Sequence, residues 1–426
     1  MVNWKKNLFF VWLSQILSLA AFGAVVPFIP LFLRDKLDIA DVNIRGAWVA
    51  AFYFAGQVGF CMFTPLWGVL ADRYGRKIML LRANILSGLI MPLMAFAPAP
   101  FILVFLRFMV GVFSGTVNAA QTLICSTTPE ERHGFALGTL SSALWSGNML
   151  GFVVGGYTIS ELGFTWTFFI CGFMLLSAAA LVLFFVDEDF APRDISRKKA
   201  AMERLNPTVY RRLIPRFSLI VWSILILFLF IGVARNFDNP FIAMLVEEVH
   251  GPEETAKWTA IISAIAAVAG IFSGLLLGYL SDRFSPGKIV VPAVIGAALM
   301  MIVQGSAQSL GVLGVGRFFN YFCAGGIDPV FQTMLSRATP PSKRGSVFGL
   351  SASTRVGGSL ISSVMGGYII FHYGVRWIFY SGAMVFALLI PMFLIILWLR
   401  NSYEKVEAGL GRCRASRVDD CPGSPE

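Results

Sequence analysis

Apolar residues fall in long blocks, each about 19 to 30 residues, separated by short polar connections. A helix of about 20 apolar residues crosses a hydrocarbon core of about 30 Å, and the period-2 alternation of a membrane β-barrel does not occur in the sequence. Hydropathy places twelve spans, at about residues 8–33, 47–70, 79–97, 101–124, 137–160, 165–186, 217–246, 258–281, 289–308, 311–334, 347–371 and 377–399. The first block is too long for a signal-peptide core and has no small-residue cleavage site, so it reads as a retained helix. The pattern predicts an all-α integral membrane protein with twelve transmembrane helices.

The longest polar segment, "DEDFAPRDISRKKAAMERLNPTVYRRLIPR", divides six spans from six. It predicts an N-terminal six-helix bundle over 1–186, a cytoplasmic central loop over 187–215, a C-terminal six-helix bundle over 216–400, and a disordered cytoplasmic tail over 401–426. The two halves repeat. Gly68, Asp72 and Arg73 recur as Gly278, Asp282 and Arg283, and Arg107 and Gly115 as Arg317 and Gly325. "GGYTISELGFTWTFF" recurs as "GGYIIFHYGVRWIFY". Two parallel six-span repeats related by a pseudo-two-fold axis enclose a cavity at their interface, open to alternate sides as one bundle rocks on the other.

Composition agrees: 57% of the 426 residues are apolar and 14% charged, against about 25% charge in a soluble domain. The net charge of +10 is explained by placement rather than by nucleic-acid binding. Lys5, Lys6, Arg73, Arg76, Lys77, Arg132, Arg283 and Lys288 lie on the side of the N-terminus, and only Arg34, Lys36, Arg45, Lys257 and Arg376 on the other. The positive-inside rule then puts both termini in the cytoplasm. Neither the six cysteines nor His133, His250 and His372 form a metal-ligand pattern, and no nucleotide-binding loop or nucleophile motif occurs. The expectation is a protein without metal or cofactor and without enzymatic activity.

"GVLADRYGRK", with Gly68, Asp72, Arg73, Gly75, Arg76 and Lys77, resembles the loop 2–3 signature of the major facilitator superfamily. "LRFMVGVFSG", with Arg107, Gly111 and Gly115, resembles its fourth-span signature, and "FGAVVPFIP" the first-span signature of its twelve-span drug/proton antiporters. "NWKKNLFFVWL", "LADRYGRKIMLLR" and "FALGTL" resemble the multidrug resistance protein G group. The resemblance covers about residues 3 to 400. It implies the major facilitator fold, a bacterial inner-membrane location, and a cytoplasmic latch in which Asp72 acts with Arg73 and Arg76 in the outward-open state. Asp282 and Arg283 form a degraded second copy, and Gly68 and Gly278 would permit close helix approach. The fifth-span antiporter signature is matched by Gly147, Gly151, Gly155 and Gly156, but Phe152 stands where it has proline. Those glycines have an alternative use in plain helix packing.

Six charged residues fall within spans: Arg107, Arg235, Arg317, Arg355, Asp238 and Asp328. Each costs about 2.5–3.5 kcal/mol at the centre of a membrane helix, so they require partners or a wet cavity. Depth matching pairs Asp238 with Arg317 or Arg235, and Asp328 with Arg355. An acid that exchanges an arginine partner for a proton is a physical basis for proton coupling; Asp328 is the first candidate carrier and Asp238 the second, the alternative being static ion pairs that hold helices together. Asn118 occupies the repeat position of Asp328, so intramembrane acid belongs to the second half alone. Phe22, Phe28, Arg107, Asn118 and Gln121, with Phe331 and Gln332 opposite, are candidate substrate contacts. Four arginines against two acids favour anionic or zwitterionic amphiphiles. The expected protein is a monomeric, proton-coupled exporter of drug-like amphiphiles. Phe152 keeps open the alternative of a metabolite importer or symporter, for an organic anion or sugar.

Overall fold

The computed structural model describes residues 3–129, 132–188, 219–339 and 344–419; for some of these, Asp72, Gly278 and Asp282 among them, only the backbone is described. The predicted central loop therefore lies, apart from Asp187 and Glu188, outside the described residues.

The N-terminal bundle contains α1 (Trp4–Val25), α2 (Ile29–Asp35), α3 (Val42–Tyr74), α4 (Arg76–Leu93), α5 (Pro100–Phe113), α6 (Thr116–Thr127) and α7 (His133–Phe185). The C-terminal bundle contains α8 (Leu219–Asn236), α9 (Ile242–His250), α10 (Thr255–Arg283), α11 (Pro286–Gly305), α12 (Leu310–Ala324), α13 (Ile327–Arg337), α14 (Arg344–Tyr373) and α15 (Val375–Asp419). These helices make the twelve spans in two bundles of six. Helix α7 supplies spans five and six, because Gly163 at φ +79° turns the chain within it, a conformation open to glycine at no steric cost.

Four predicted continuous spans are interrupted: the first between α1 and α2, the fourth between α5 and α6, the seventh between α8 and α9, and the tenth between α12 and α13. The cause differs in kind. Pro27 and Pro240 each sit in a single 3₁₀ turn, Val26–Phe28 and Asn239–Phe241, where proline removes a donor from the helical ladder. In the fourth and tenth spans the breaks fall at Ser114–Gly115 and Gly325–Gly326. The breaks occupy equivalent places in the two halves, so the repeat extends to the irregularities.

Asn7 and Lys6 bond to Asp187, and Glu188 accepts from the backbone N–H groups of Arg76 (3.0 Å) and Lys77 (2.8 Å) at the start of α4. A carboxylate there meets unpaired donors and the positive end of the helix dipole. These contacts gather the N-terminus and the turn at Gly75 on one face, called here the terminal face. The far face carries Arg34, Gly163, Glu247 and Arg376. Helix α15 continues to Asp419, so the backbone of 401–419 is helical where the sequence pattern predicts a disordered tail.

One hydrophobic cluster joins the bundles and includes Phe28, Phe32 and Phe52 together with Phe237, Phe241, Phe331 and Ile370. At the far face the bundles are in close contact, Gly46 with Ile370, Gly367 with Ala50 and Gly156 with Ala260. Toward the terminal face, Gly68, Gly138 and Gly274 each have open space where a Cβ would stand. The bundles are closed at the far face and part toward the terminal one. No described atom lies within 4 Å of where a Cβ would stand at Gly68, so the close helix approach expected of it is not made among the described residues in this conformation.

Candidate functional site

The break in the tenth span puts Asp328 in the first turn of α13, where exposed helix N–H groups favour a negative charge. Its Oδ2 accepts from Arg235 Nη1 on α8 at 2.5 Å and from Arg355 Nη1 on α14 at 3.3 Å. Its Oδ1 is buried and has no hydrogen-bond partner among the described residues. The Arg355 side chain is 39% exposed and that of Asp328 is 12%, so the group borders open space rather than sitting in sealed core. Both depth-matched pairings form, Asp328 with Arg355 and Asp238 with Arg317; Arg235, the other partner considered for Asp238, joins Asp328 instead.

Asp238 pairs with Arg317 in a closed network. Arg317 Nη2 donates to Asn239 Oδ1 at 2.9 Å, and the Tyr321 hydroxyl donates to the same oxygen at 2.5 Å. Both charged side chains are 2% exposed. Such a pair holds α8, α12 and the 239–241 turn together, and breaking it would strand a charge in low dielectric.

Arg107 on α5 has no acidic partner among the described residues. Its guanidinium lies 5.2 Å from the Phe52 ring and 6.0 Å from that of Phe22, its side chain packs against Gly56, and its Nε is buried without a hydrogen bond. A bulkier residue at Gly56 would collide with that side chain, so the sequence leaves room for it. Trp145 on α7, absent from the sequence-based candidates, lies with its ring 5.9 Å from the Arg235 guanidinium and against Gly270 of α10. The Trp145–Gly270 contact crosses from one bundle to the other, a pairing with no local signature in sequence.

Of the other candidate substrate contacts, Phe22 and Gln121 are partly buried, and Asn118 and Gln332 are exposed. Phe28 and Phe331 are corrected: each has no exposed surface. Phe331 packs between Phe228 and Phe393 at centroid distances of 5.9 Å, so both rings belong to the core in this conformation.

At the terminal face the Arg73 guanidinium lies over Tyr74 at 5.2 Å, Gly75 takes φ 99°, Lys77 Nζ donates to the Leu183 carbonyl at 2.9 Å, and Arg283 is exposed. The proposed latch side chains of Asp72 and Asp282 lie outside the described residues. The glycines of the fifth span pack it on the first: Gly147 faces Ile16 and Leu19, Gly151 faces Ala20 and Gly23, and Gly155 faces Ala24.

The far face carries an unforeseen cluster. Glu247 on α9 forms ion pairs with Arg34 (Nη1 to Oε1, 3.2 Å) and Arg45 (Nη2 to Oε2, 3.0 Å), joining the C-terminal bundle to two elements of the N-terminal one. Arg45 is 2% exposed.

Two six-helix repeats, broken spans at equivalent positions, and charges gathered beside a cleft closed at one face define a membrane carrier of the alternating-access type. The chain belongs to the Major Facilitator Superfamily, whose family model matches residues 11–303 and 224–418. It is 31% identical over 389 residues to the multidrug resistance protein MdtG of Rahnella sp. (strain Y9602), covering 90% of this chain and 92% of that one. It is 33% identical over 379 residues to MdtG of Citrobacter koseri, with coverage of 89% and 91%. Among solved structures, a mutant of the nucleoside transporter NupG superposes with a TM-score of 0.73 at 13% identity, covering 92% of this chain and 99% of that one. The human organic anion transporter MFSD10 superposes with a TM-score of 0.63 at 17% identity, covering 92% and 100%. At those identities the structural likeness shows the fold alone.

Proposed function

We propose that the chain is a proton-coupled exporter of drug-like amphiphiles, anionic or zwitterionic, in a bacterial inner membrane with both termini in the cytoplasm. The observation that carries the reading is Asp328: one oxygen held by two arginines from other helices, the other free, beside the cleft. The relatives named as multidrug resistance proteins support drug-like cargo. With basic turns inside, the open terminal face is the cytoplasmic one, where an exporter loads.

In this reading Asp328 alternates between its arginine-held, ionised form and a protonated form that releases Arg235 and Arg355. Asp238 is assigned a structural role, because its pair with Arg317 is enclosed. Arg107 offers a cation with unspent hydrogen-bond capacity to an acidic group on the cargo, and Phe22 and Phe52 offer ring faces to its apolar part. Asp72, Arg73 and Arg76 remain the proposed latch of the opposite conformation.

Asp328→Asn in proteoliposomes with an imposed pH gradient tests the reading: gradient-driven transport is abolished while the protein stays folded and inserted. Full gradient-driven transport by the variant would end it. A second reading, uptake of a metabolite, draws on Phe152 in place of the signature proline; the direction of substrate movement in the same vesicles separates the two.

A further inference from the structure

At the far face, the seam between the bundles holds a groove of about 530 Å³, lined by Val153 and Tyr157 of α7, Lys257, Ala260, Ile261, Ala264, Ile265 and Val268 of α10, and Phe318 of α12. Its walls look outward to the bilayer: Tyr157 is 65% and Val153 49% exposed. Along α10 the lining recurs at Lys257, Ile261, Ile265 and Val268, one helical stripe that rises through eleven residue steps. At 1.5 Å per residue the stripe is about 16 Å deep, the depth of one leaflet in a hydrocarbon core of about 30 Å. A groove of that depth, apolar below a charged rim, fits an acyl chain.

The rim is not simply basic. Lys257 Nζ stands 3.0 Å from Glu254 and 3.8 Å from Glu161, the second from the other bundle. All three side chains are between 39% and 56% exposed, open to a headgroup. One cation between two carboxylates carries a net charge of −1, which disfavours an anionic lipid. The order negative, positive, negative complements a headgroup with one phosphate and one ammonium. A primary ammonium donates three hydrogen bonds, enough for both carboxylates, whereas the quaternary ammonium of choline donates none.

We propose that this seam is a binding site for an ethanolamine phospholipid of the leaflet at the far face, its phosphate on Lys257, its ammonium on the solvent side of the Glu161 and Glu254 carboxylates that flank Lys257, and one acyl chain in the groove. The floor of the site is an inter-bundle contact, since a Cβ at Gly156 would meet Ala260 and the Ala256 carbonyl. A lipid seated across that contact bridges the bundles and favours the conformation closed at the far face.

Native mass spectrometry of the purified full-length protein with phosphatidylethanolamine, phosphatidylcholine or phosphatidylglycerol of matched acyl chains tests the site without any transport assay. Phosphatidylethanolamine is expected to be retained about threefold or more over the other two, a factor in keeping with exposed charge contacts. The double variant Glu161→Gln, Glu254→Gln removes that preference, and Ala264→Trp lowers retention of all three lipids by filling the groove. Equal retention of the three lipids by the wild type, or a preference that survives the double variant, overturns the proposal; the charge variants lie on the exposed rim, so a misfolded Ala264→Trp leaves the test intact.

Discussion

Replacing Glu247 with Gln removes the carboxylate that Arg34 and Arg45 share across the two bundles while keeping its size. Arg34 is 20% exposed and re-solvates readily, but Arg45 is 2% exposed, and its Nε and Nη1 have no hydrogen-bond partner among the described residues. Removing one partner of a buried pair costs about 3–5 kcal/mol. Glu247 itself is 17% exposed, which tempers the cost here to about 2–3 kcal/mol. That penalty applies only while the far face is closed, because opening it admits water to Arg45. The ratio of far-open to far-closed molecules should therefore rise about 30- to 150-fold. Spin labels at Val42 and Glu253, exposed on opposite bundles at that face, report the change as a longer distance in pulsed electron resonance. The double variant Arg45→Gln, Glu247→Gln, which leaves no stranded charge, should return toward the wild-type distribution. An unchanged distribution in Glu247→Gln alone would refute the idea that the Glu247 ion pairs hold the far face closed.

Asp238→Asn strands Arg317 in an enclosed site and should lower stability by about 3–5 kcal/mol, read as a fall in thermal midpoint in detergent; Asp328→Asn, whose arginine partners reach open space, should cost far less. Gly155→Leu forces a side chain into the backbone of Ala24 and should destabilise the span-one to span-five contact by at least about 1–3 kcal/mol, measured the same way. Arg107→Gln should raise the KM of an acidic amphiphile about tenfold or more, the worth of a charge-assisted hydrogen bond, and leave that of a cationic dye unchanged or lower.

Span number and the plan of two six-helix bundles were legible in the sequence because each follows from a one-dimensional quantity: run length or repeat spacing. Pairing was legible in part: Asp238 with Arg317 and Asp328 with Arg355 both follow from depth, but depth left Arg235 open as a partner for Asp238, three residues on in the chain, and in the structure Arg235 reaches Asp328 on another span. Phe28 and Phe331 were read as cavity residues from their positions on the first and tenth spans, but helix rotation decides which side of a span a ring faces, and both face the core. Trp145 and Glu247 act across the seam between bundles, where their partners are more than 80 residues distant in the chain. Only a local oddity marks them beforehand: a tryptophan in a glycine-rich span, and an acid where the opposite side's few bases collect.

The two halves share a backbone plan and divide the chemistry. At the tenth-span break the second half carries Asp328; the first half has Asn118 at that repeat position, and its Arg107 has no acidic partner among the described residues. Arg317, the repeat equivalent of Arg107, is already taken by Asp238. The usable charges about the cleft are thus Arg107 in one bundle and Asp328 with Arg235 and Arg355 in the other. This arrangement constrains the cargo of an antiporter. A proton on Asp328 makes the cleft more positive and frees two arginines, which strengthens binding of a pure anion; proton and anion would then travel together. Exchange requires that proton and cargo exclude one another. Under the proposed function a zwitterion would meet that condition, with its acidic group on Arg107 and its cationic group on Oδ1 of Asp328 in place of the proton. Of the two cargo classes that the arginine surplus admits, the zwitterion is the one compatible with export against a proton.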